Sequence, residues 1–347
     1  MKIRHIEAGP GEKAFGYLES STTLSGIPIH IPVNIVRGVE DGPVLLVNSA
    51  LHGREAIGTF ALGKILRELD PKALKGTLIA VPVTNTSGFE FDSRLVAWDG
   101  GNLGTHAEDA SLEGSPSNQL SHMYLNELVA KSDAVIDIHS GGSEACVWYT
   151  IYVGEHGTPE VQEQSKQMAL AFGLKQLMRR RPSRWAVRSA PKDIAAEMGI
   201  PAISPEVGGG GAWYTYDAER ENYRFTGHDQ IATCERGIKN VMILMGMLEG
   251  TIETESRFAE IYDASDVEIW SGKHAGIILR HFEWGDYFEE GDVFATVYDP
   301  FTGEKTAEIL APNSGYVLNT GLCWPTAGQG KWLGNLGTLV EKVEISF

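Results

Sequence analysis

The chain has 347 residues, 42 % of them hydrophobic and 22 % charged, with a formal net charge of −17. That length suits one large domain with a smaller one beside it, in an ordinary globular balance. The acidity argues against non-specific nucleic-acid binding and against attachment to anionic lipid, both of which need fields of Lys and Arg.

Cys146, Cys234 and Cys323 are far apart and form no Cys-x-x-Cys, so neither a disulfide framework nor a cysteine-rich metal site is expected. The stretch Met1-Lys2-Ile3-Arg4-His5-Ile6-Glu7 lacks the apolar segment of a signal peptide. No apolar run approaches the roughly 20 residues of a membrane span. A reducing, cytoplasmic setting is the expectation.

Along the chain, residues 28–36 alternate as a strand does, and Pro43–Val47 reads as a short buried strand. It leads into Asn48-Ser49-Ala50-Leu51-His52-Gly53-Arg54-Glu55, where an imidazole and a carboxylate stand three residues apart. Ile57, Phe60, Leu62, Ile65 and Leu66 give residues 56–69 a helical period, and 77–83 is again a short apolar strand. Residues 84–118 are rich in Gly, Ser, Asn and Asp, and a loop of that length in a compact domain is usually functional. A helix is predicted over 118–130, then the strand 134–139, which ends in Asp137-Ile138-His139-Ser140-Gly141. A helix over 159–172, a strand over 202–205 and a long helix over 231–248 complete the pattern.

Strands alternating with helices indicate an α/β domain with a largely parallel sheet, in which ligands bind beyond the carboxyl ends of the strands. His52 and His139 both fall at such ends. After about residue 260 the character changes to short strands at 267–270, 276–279, 293–297 and 315–318, split by Gly, Asp and Pro. This predicts an all-β module whose hairpins resemble those of biotinyl/lipoyl-type domains, without a lysine at a hairpin tip. The expected division is a catalytic domain over 1–260 and a β-domain over 261–347, the latter structural or lid-like.

The chemistry follows from the strand ends. Two histidines and one carboxylate, His52, Glu55 and His139, are a zinc ligand set that leaves a position open for water. Zinc lowers the pKa of that water to about 7 and polarises a carbonyl. Asp137, two residues before His139, is placed to orient a ligand. Glu206, in Ile203-Ser204-Pro205-Glu206-Val207 ahead of the glycines 208–211, is the candidate general base and acid. Arg94 is the candidate for the developing oxyanion, although a loop arginine also commonly pairs with a neighbour such as Asp92. Arg179-Arg180-Arg181 reads as a solvated basic patch, one member of which could reach an anionic substrate. Trp213, Tyr214 and Tyr216 are candidate pocket residues or ordinary core. His106 and His122 read as surface or packing residues, and the glycine run is not a phosphate loop, since no Gly-Lys-Ser/Thr follows.

Leu51-His52-Gly53-Arg54-Glu55, Asp137-Ile138-His139-Ser140-Gly141 and Pro205-Glu206-Val207-Gly208 together resemble the succinylglutamate desuccinylase/aspartoacylase family, which belongs with the zinc carboxypeptidases. The resemblance extends over most of the chain. It implies a zinc-carboxypeptidase-like mixed sheet flanked by helices, with a smaller C-terminal all-β domain. It also implies hydrolysis of the amide bond of an N-acyl amino acid with one zinc per chain. His52, Glu55 and His139 would bind the metal, Glu206 would act as base and acid, and Arg94 would polarise the carbonyl. Family members commonly carry Asp-Leu-Asn-Arg in the long loop, the Asn-Arg pair clamping a substrate carboxylate. Here the matching stretch is Asn102-Leu103-Gly104-Thr105, and Gly and Thr cannot replace a bidentate Arg.

The expected activity is therefore a zinc-dependent deacylase whose partner is a small N-acyl amino acid, with an acetyl-type group favoured. Neither nucleic acid nor membrane is expected, and self-association is left open. A metallocarboxypeptidase is the first alternative, weakened by the absent clamp. A non-catalytic, lectin-like metal-binding module is the second.

Overall fold

The strands at the centre of the chain are apolar on both faces because both faces are buried. Along Glu40–Ser49, Leu45 and Val47 enter one core while Leu46 enters the other. Leu78 and Ala80 against Ile79 and Val81 repeat this in Lys75–Val81, and Ile136 against Val135 in Ala134–Ile138. Continuous apolar runs of this kind are what a sheet covered by helices requires.

The computed structural model describes all residues except 106, 143–144, 181–189, 210–213, 218–220, 226, 264–267, 283–284 and 321–325. Only the backbone is described at 108, 146, 180, 214–217, 222–225, 227–228 and 319–320. Among the described residues one thirteen-stranded mixed sheet runs through the molecule. Its middle is parallel: Glu40–Ser49 lies between Lys75–Val81 and Ala134–Ile138, and Ala202–Gly209 runs beside Ala134–Ile138. One face is covered by the helices Ile57–Glu68, Pro159–Phe172 and Gly227–Leu244. The other is covered by Pro116–Met123 and the N-terminal segment. The α/β mixed sheet with a C-terminal β region thus agrees with the sequence pattern. Among the described residues, no helix is long and apolar enough to cross a membrane.

Among the element boundaries that differ from the sequence reading, three have a clear physical cause or bear on the site. The helix expected at 118 starts at Pro116, because Ser115 and Asn118 form a capping box and proline is suited to the first helical turn. The helix expected over 231–248 spans Gly227–Leu244. Gly246 adopts φ +69, and Met247 N–H donates to the Met242 carbonyl at 2.8 Å, a left-handed cap that ends the helix inside the apolar run. The strand expected to stop at Pro205 continues to Gly209, so Glu206 lies within a strand, opposite Tyr149 of Cys146–Val153.

The C-terminal strands are not confined to a sheet of their own. A four-stranded sheet of Lys305–Leu310, Val293–Tyr298, Gly276–Arg280 and Thr326–Ala327 surrounds a separate apolar core with Phe282, Phe288 and Phe294. The remaining strands extend the large sheet. Phe258–Asp263 pairs with Gln176–Arg180 on one side and Trp332–Glu344 on the other. Gly315–Thr320 then pairs with both Trp332–Glu344 and Cys146–Val153. Since Cys146–Val153 also pairs with Gln176–Arg180, these strands close a ring. Val147, Tyr149, Met178, Tyr262 and Leu318 form a small apolar cluster on those strands.

Phe172 joins two of the covering helices. Its fully buried ring lies where a Cβ at Gly237 would stand 2.5 Å from it, so the glycine makes the seat. Phe172→Ala is expected to cost about 3–5 kcal/mol, read as a lower urea midpoint with an unchanged slope.

Candidate metal centre and active-site pocket

His52 and His139 reach the same point because their strands are neighbours in a parallel sheet. Asn48 lies in register with Asp137, and Ser49 with Ile138, so the residues that follow leave the sheet side by side. A tight turn then brings Glu55 back, its N–H donating to the His52 carbonyl at 2.9 Å.

The Glu55 carboxylate joins the two rings. Its Oε1 lies 2.9 Å from His52 Nδ1 and its Oε2 2.9 Å from His139 Nδ1. All three side chains are buried, and their candidate ligand atoms lie within 4.8 Å of one another. Each ring is fixed from behind. His139 Nε2 is 2.9 Å from Asp137 Oδ2, and Asp137 Oδ1 accepts from Asn48 Nδ2 at 2.6 Å. The buried Tyr124 hydroxyl donates to Asn48 Oδ1 at 2.7 Å. His52 Nε2 is 3.0 Å from Asn102 Oδ1, which also accepts from Gly104 N–H at 2.9 Å. Bonding the remote nitrogens to oxygen sets the tautomer and turns both Nδ1 atoms toward Glu55. The donor set, two imidazoles and one carboxylate at a common point, fits a divalent ion that prefers nitrogen and oxygen.

The charges are strongly coupled. Burial opposes ionisation of Glu55, yet the two histidines hold its carboxyl well below the usual range. Burial likewise opposes a charge on His139, but Asp137 and Glu55 raise it well above the ordinary histidine value. His52 goes the other way, lowered first by burial, because its rear partner is a neutral amide.

Glu206 is held against this cluster by backbone bonds. His139 N–H donates to the Pro205 carbonyl at 2.8 Å, and Val207 N–H donates to the His139 carbonyl at 3.0 Å. Glu206 lines a cavity of about 280 Å³ together with Glu55, Arg94, Tyr149, Lys331 and Trp332. Burial pushes Glu206 from 4.5 up to about 7, with His139 opposing the rise and Glu55 adding to it.

The structure brings together all five residues expected at the site: His52, Glu55, His139, Glu206 and Arg94. Arg94 does not pair with Asp92. Its Nη1 donates to Glu55 Oε1 at 2.8 Å, while the Asp92 carbonyl accepts from Arg54. Arg179 is not a solvated cation, for its guanidinium forks onto Asp263 at 2.9 and 3.2 Å. The Arg180 side chain, Arg181, His106, Trp213 and the side chains of Tyr214 and Tyr216 lie outside the described residues. His122 accepts from the Asn126 Nδ2 amide, four residues on, at its ring Nδ1 and at its carbonyl, away from the cluster.

Residues not singled out from sequence are Asn48 and Tyr124 behind Asp137, Asn102 as a partner of His52, and Tyr149, Lys331 and Trp332 on the cavity wall. Asn102 was legible only as part of an altered loop. That loop lies tightly on the site, since a Cβ at Gly104 would stand 2.8 Å from His52 Nε2. Trp332 opens a strand, with Lys331 directly before it, 125 or more residues beyond Glu206, and the two left no local signal.

The raised Glu206 value has a stability consequence. Between pH 4.5 and about 7 the folded state of the metal-free protein binds more protons at this carboxyl than the unfolded chain does. Stability is therefore lost as pH rises through that window. Glu206→Gln removes the effect. Without metal it is expected to be more stable than the wild type at pH 8, by on the order of 2 kcal/mol, with the gap closing toward pH 4.5. Denaturant melts at the two pH values check this.

Comparison with known proteins gives a consistent picture. The family model described as the succinylglutamate desuccinylase/aspartoacylase catalytic domain matches residues 41–224, more than half of the chain. A relative from Halomonas elongata, N-alpha-acetyl-L-2,4-diaminobutyric acid deacetylase, is 28 % identical over 281 residues, covering 78 % of this chain and 75 % of its own. A succinylglutamate desuccinylase/aspartoacylase from Rhodobacter sphaeroides has the same fold, with a TM-score of 0.79, 20 % identity and 95 % and 96 % coverage. So does the product-bound ectoine utilization protein EutE (DoeB) from Ruegeria pomeroyi, with a TM-score of 0.80, 22 % identity and 94 % coverage of both chains. The family's catalytic region is matched from before His52 to beyond Glu206, and the chain is an enzyme of the deacylase class belonging to the succinylglutamate desuccinylase/aspartoacylase family.

Proposed function

We propose that the protein is a zinc-dependent amidohydrolase that removes a small acyl group, acetyl in the first instance, from the α-nitrogen of an amino acid. The observation that carries this reading is the placement of His52, Glu55 and His139 around one point, with Glu206 on the wall of the same cavity. The Halomonas elongata relative, named for an N-acetyl diamino acid, supports the acetyl group and makes a cationic amino acid the first substrate to assay. His52, Glu55 and His139 are the proposed zinc ligands. When bound, the ion would polarise the scissile carbonyl and acidify a water.

The protein's own groups supply the proton traffic. Glu206 takes a proton from the attacking water and delivers it to the leaving nitrogen, so that the amine departs neutral. A carboxyl near 7 is suited to both halves of that task, while the adjoining metal charge would draw it lower. Arg94 has one N–H committed to Glu55, and its remaining donors are available to the negative charge that develops on the carbonyl oxygen. Asp137 and Asn102 keep the histidine rings oriented. In this reading the catalytic groups belong to residues 1–260, residues 261–347 complete the cavity, and the protein acts in the cytoplasm.

Glu206→Gln is expected to retain one zinc per chain by atomic emission while turnover of an N-acetyl amino acid falls at least about 100-fold. Near-full activity in that variant would sink the mechanism. A chelator should abolish activity and stoichiometric zinc restore it. Asn102→Ala, which frees the rear of His52, is expected to weaken zinc binding by about 10-fold or more in a competition titration against a chromophoric chelator.

A further inference from the structure

Side chains alternate along the strand Lys13–Thr22, and one set of them is uncovered. Ala14 and Leu18 belong to the core that holds Ile6, and a Cβ at Gly16 would stand 2.7 Å from the Ile6 side chain. Lys13, Phe15, Tyr17 and Glu19 face outward, with Phe15 57 % and Tyr17 48 % exposed. The aromatic residues form a row. Phe15 and Tyr17 meet edge to face at 5.1 Å, and Tyr17 meets His30 of the neighbouring strand at 4.4 Å. A single exposed ring needs no explanation, whereas a contiguous row marks an interaction surface.

The same strand ends the large sheet. Among the described residues it pairs with Pro28–Arg37 on one side and with no strand on the other. Arg37 N–H donates to the Glu12 carbonyl at 3.0 Å. Counting on from that pair, an antiparallel ladder turns the backbone groups of the even residues toward Pro28–Arg37 and those of Lys13, Phe15, Tyr17 and Glu19 outward. Edges are commonly blunted by proline, by inward charge or by a bulge. Here the pairing is regular from Lys13 to Glu19, and the bulge comes only between Glu19 and Ser21. That regular stretch is complementary to itself about Gly16. Laid antiparallel on a second copy with Gly16 opposite Gly16, it sets Lys13 against Glu19, Phe15 against Tyr17 and Ala14 against Leu18. Opposite charges and aromatic rings are favourable cross-strand pairs. Centring on Phe15 instead sets Lys13 against Tyr17, and centring on Tyr17 sets Phe15 against Glu19. Lys13 Nζ rests on the Leu66 carbonyl at 2.7 Å, a solvent-exposed contact that a carboxylate can replace. In a chain of net charge −17, this charge-balanced stretch is a place where a second copy meets little repulsion.

We propose that Lys13–Glu19 is a self-association surface, at which two copies of the chain join edge to edge into one continuous sheet about a twofold axis at Gly16. A contact of this kind is isologous, so every cross-strand pair occurs twice and the assembly closes as a dimer. The outward N–H and C=O groups of Lys13, Phe15, Tyr17 and Glu19 supply the bonds, and the side chains of the same residues select the register. The association is independent of the hydrolytic chemistry, and the N-acyl amino acid reading stands or falls separately.

Light scattering after size exclusion, with sedimentation equilibrium for the dissociation constant, is expected to show a dimer of the full chain. Tyr17→Lys places a cation among the rings and should weaken it about 100-fold or more. Lys13→Glu sets two acids against each other at both ends of the contact, and Glu19→Lys sets two lysines. Each should weaken the dimer about 10-fold or more, while the double variant, with the pair reversed, should return to within about threefold of the wild type. Amide exchange over residues 13–19 should slow as protein concentration rises, in the wild type and in the double variant alike. Phe15→Ser replaces Tyr17→Lys should circular dichroism show the latter unfolded. A wild type that stays monomeric up to its solubility limit overturns the proposal. So does a dimer indifferent to the aromatic variant or to the single charge variants, and so do single charge variants that the double does not rescue.

Discussion

The Glu55 carboxylate is the interaction on which the site depends. A buried charge is costly unless it is met by opposite charge and by hydrogen bonds. Glu55 meets that demand by drawing in three partners from three segments: His52 from its own turn, His139 from the end of another strand, and Arg94 from the long loop. Removing any one partner leaves the others facing an under-compensated carboxylate. The same gathering makes the cluster suited to a divalent cation, since the groups that satisfy Glu55 include the two imidazoles that would share the ion with it.

The two imidazoles are supported differently. His139 rests on a buried carboxylate, Asp137, itself held by Asn48 and Tyr124, and its charge is strongly favoured. His52 rests on the neutral amide of Asn102, and burial lowers its pKa below the ordinary histidine value although Glu55 opposes this. A charged partner raises a ligand's basicity more than a neutral one does. The sheet fixes one half of the site, whereas a loop holds the other, and the loop half is open to variation with less risk to the fold.

The C-terminal strands give the cavity its far wall. A sheet ending at Gln176–Arg180 would leave an unpaired edge beside the active site, and open edges invite pairing with other chains. Phe258–Asp263, Trp332–Glu344 and Gly315–Thr320 close that edge back onto Cys146–Val153. Closure protects the edge and brings Lys331 and Trp332 onto the wall of the cavity that Glu206 lines.

Much of this was legible in the sequence where chemistry and local order coincide. The apolar runs marked the central strands, because a parallel sheet buries both faces, and the ligand-type residues stood directly at their ends. His52, Glu55, His139 and Glu206 could be named because each lies within a few residues of a strand that the pattern reveals. Only the tertiary structure decided that Arg94 lies on Glu55 rather than Asp92, that Arg179 is bound by Asp263, and that Asn102 backs His52. It also decided that Lys331 faces the cavity of Glu206 across 125 residues of chain. Strand patterning is set by burial along a local run and can be read one segment at a time. The partner of a long charged side chain is set by which segments the fold brings together, and no local period records that choice.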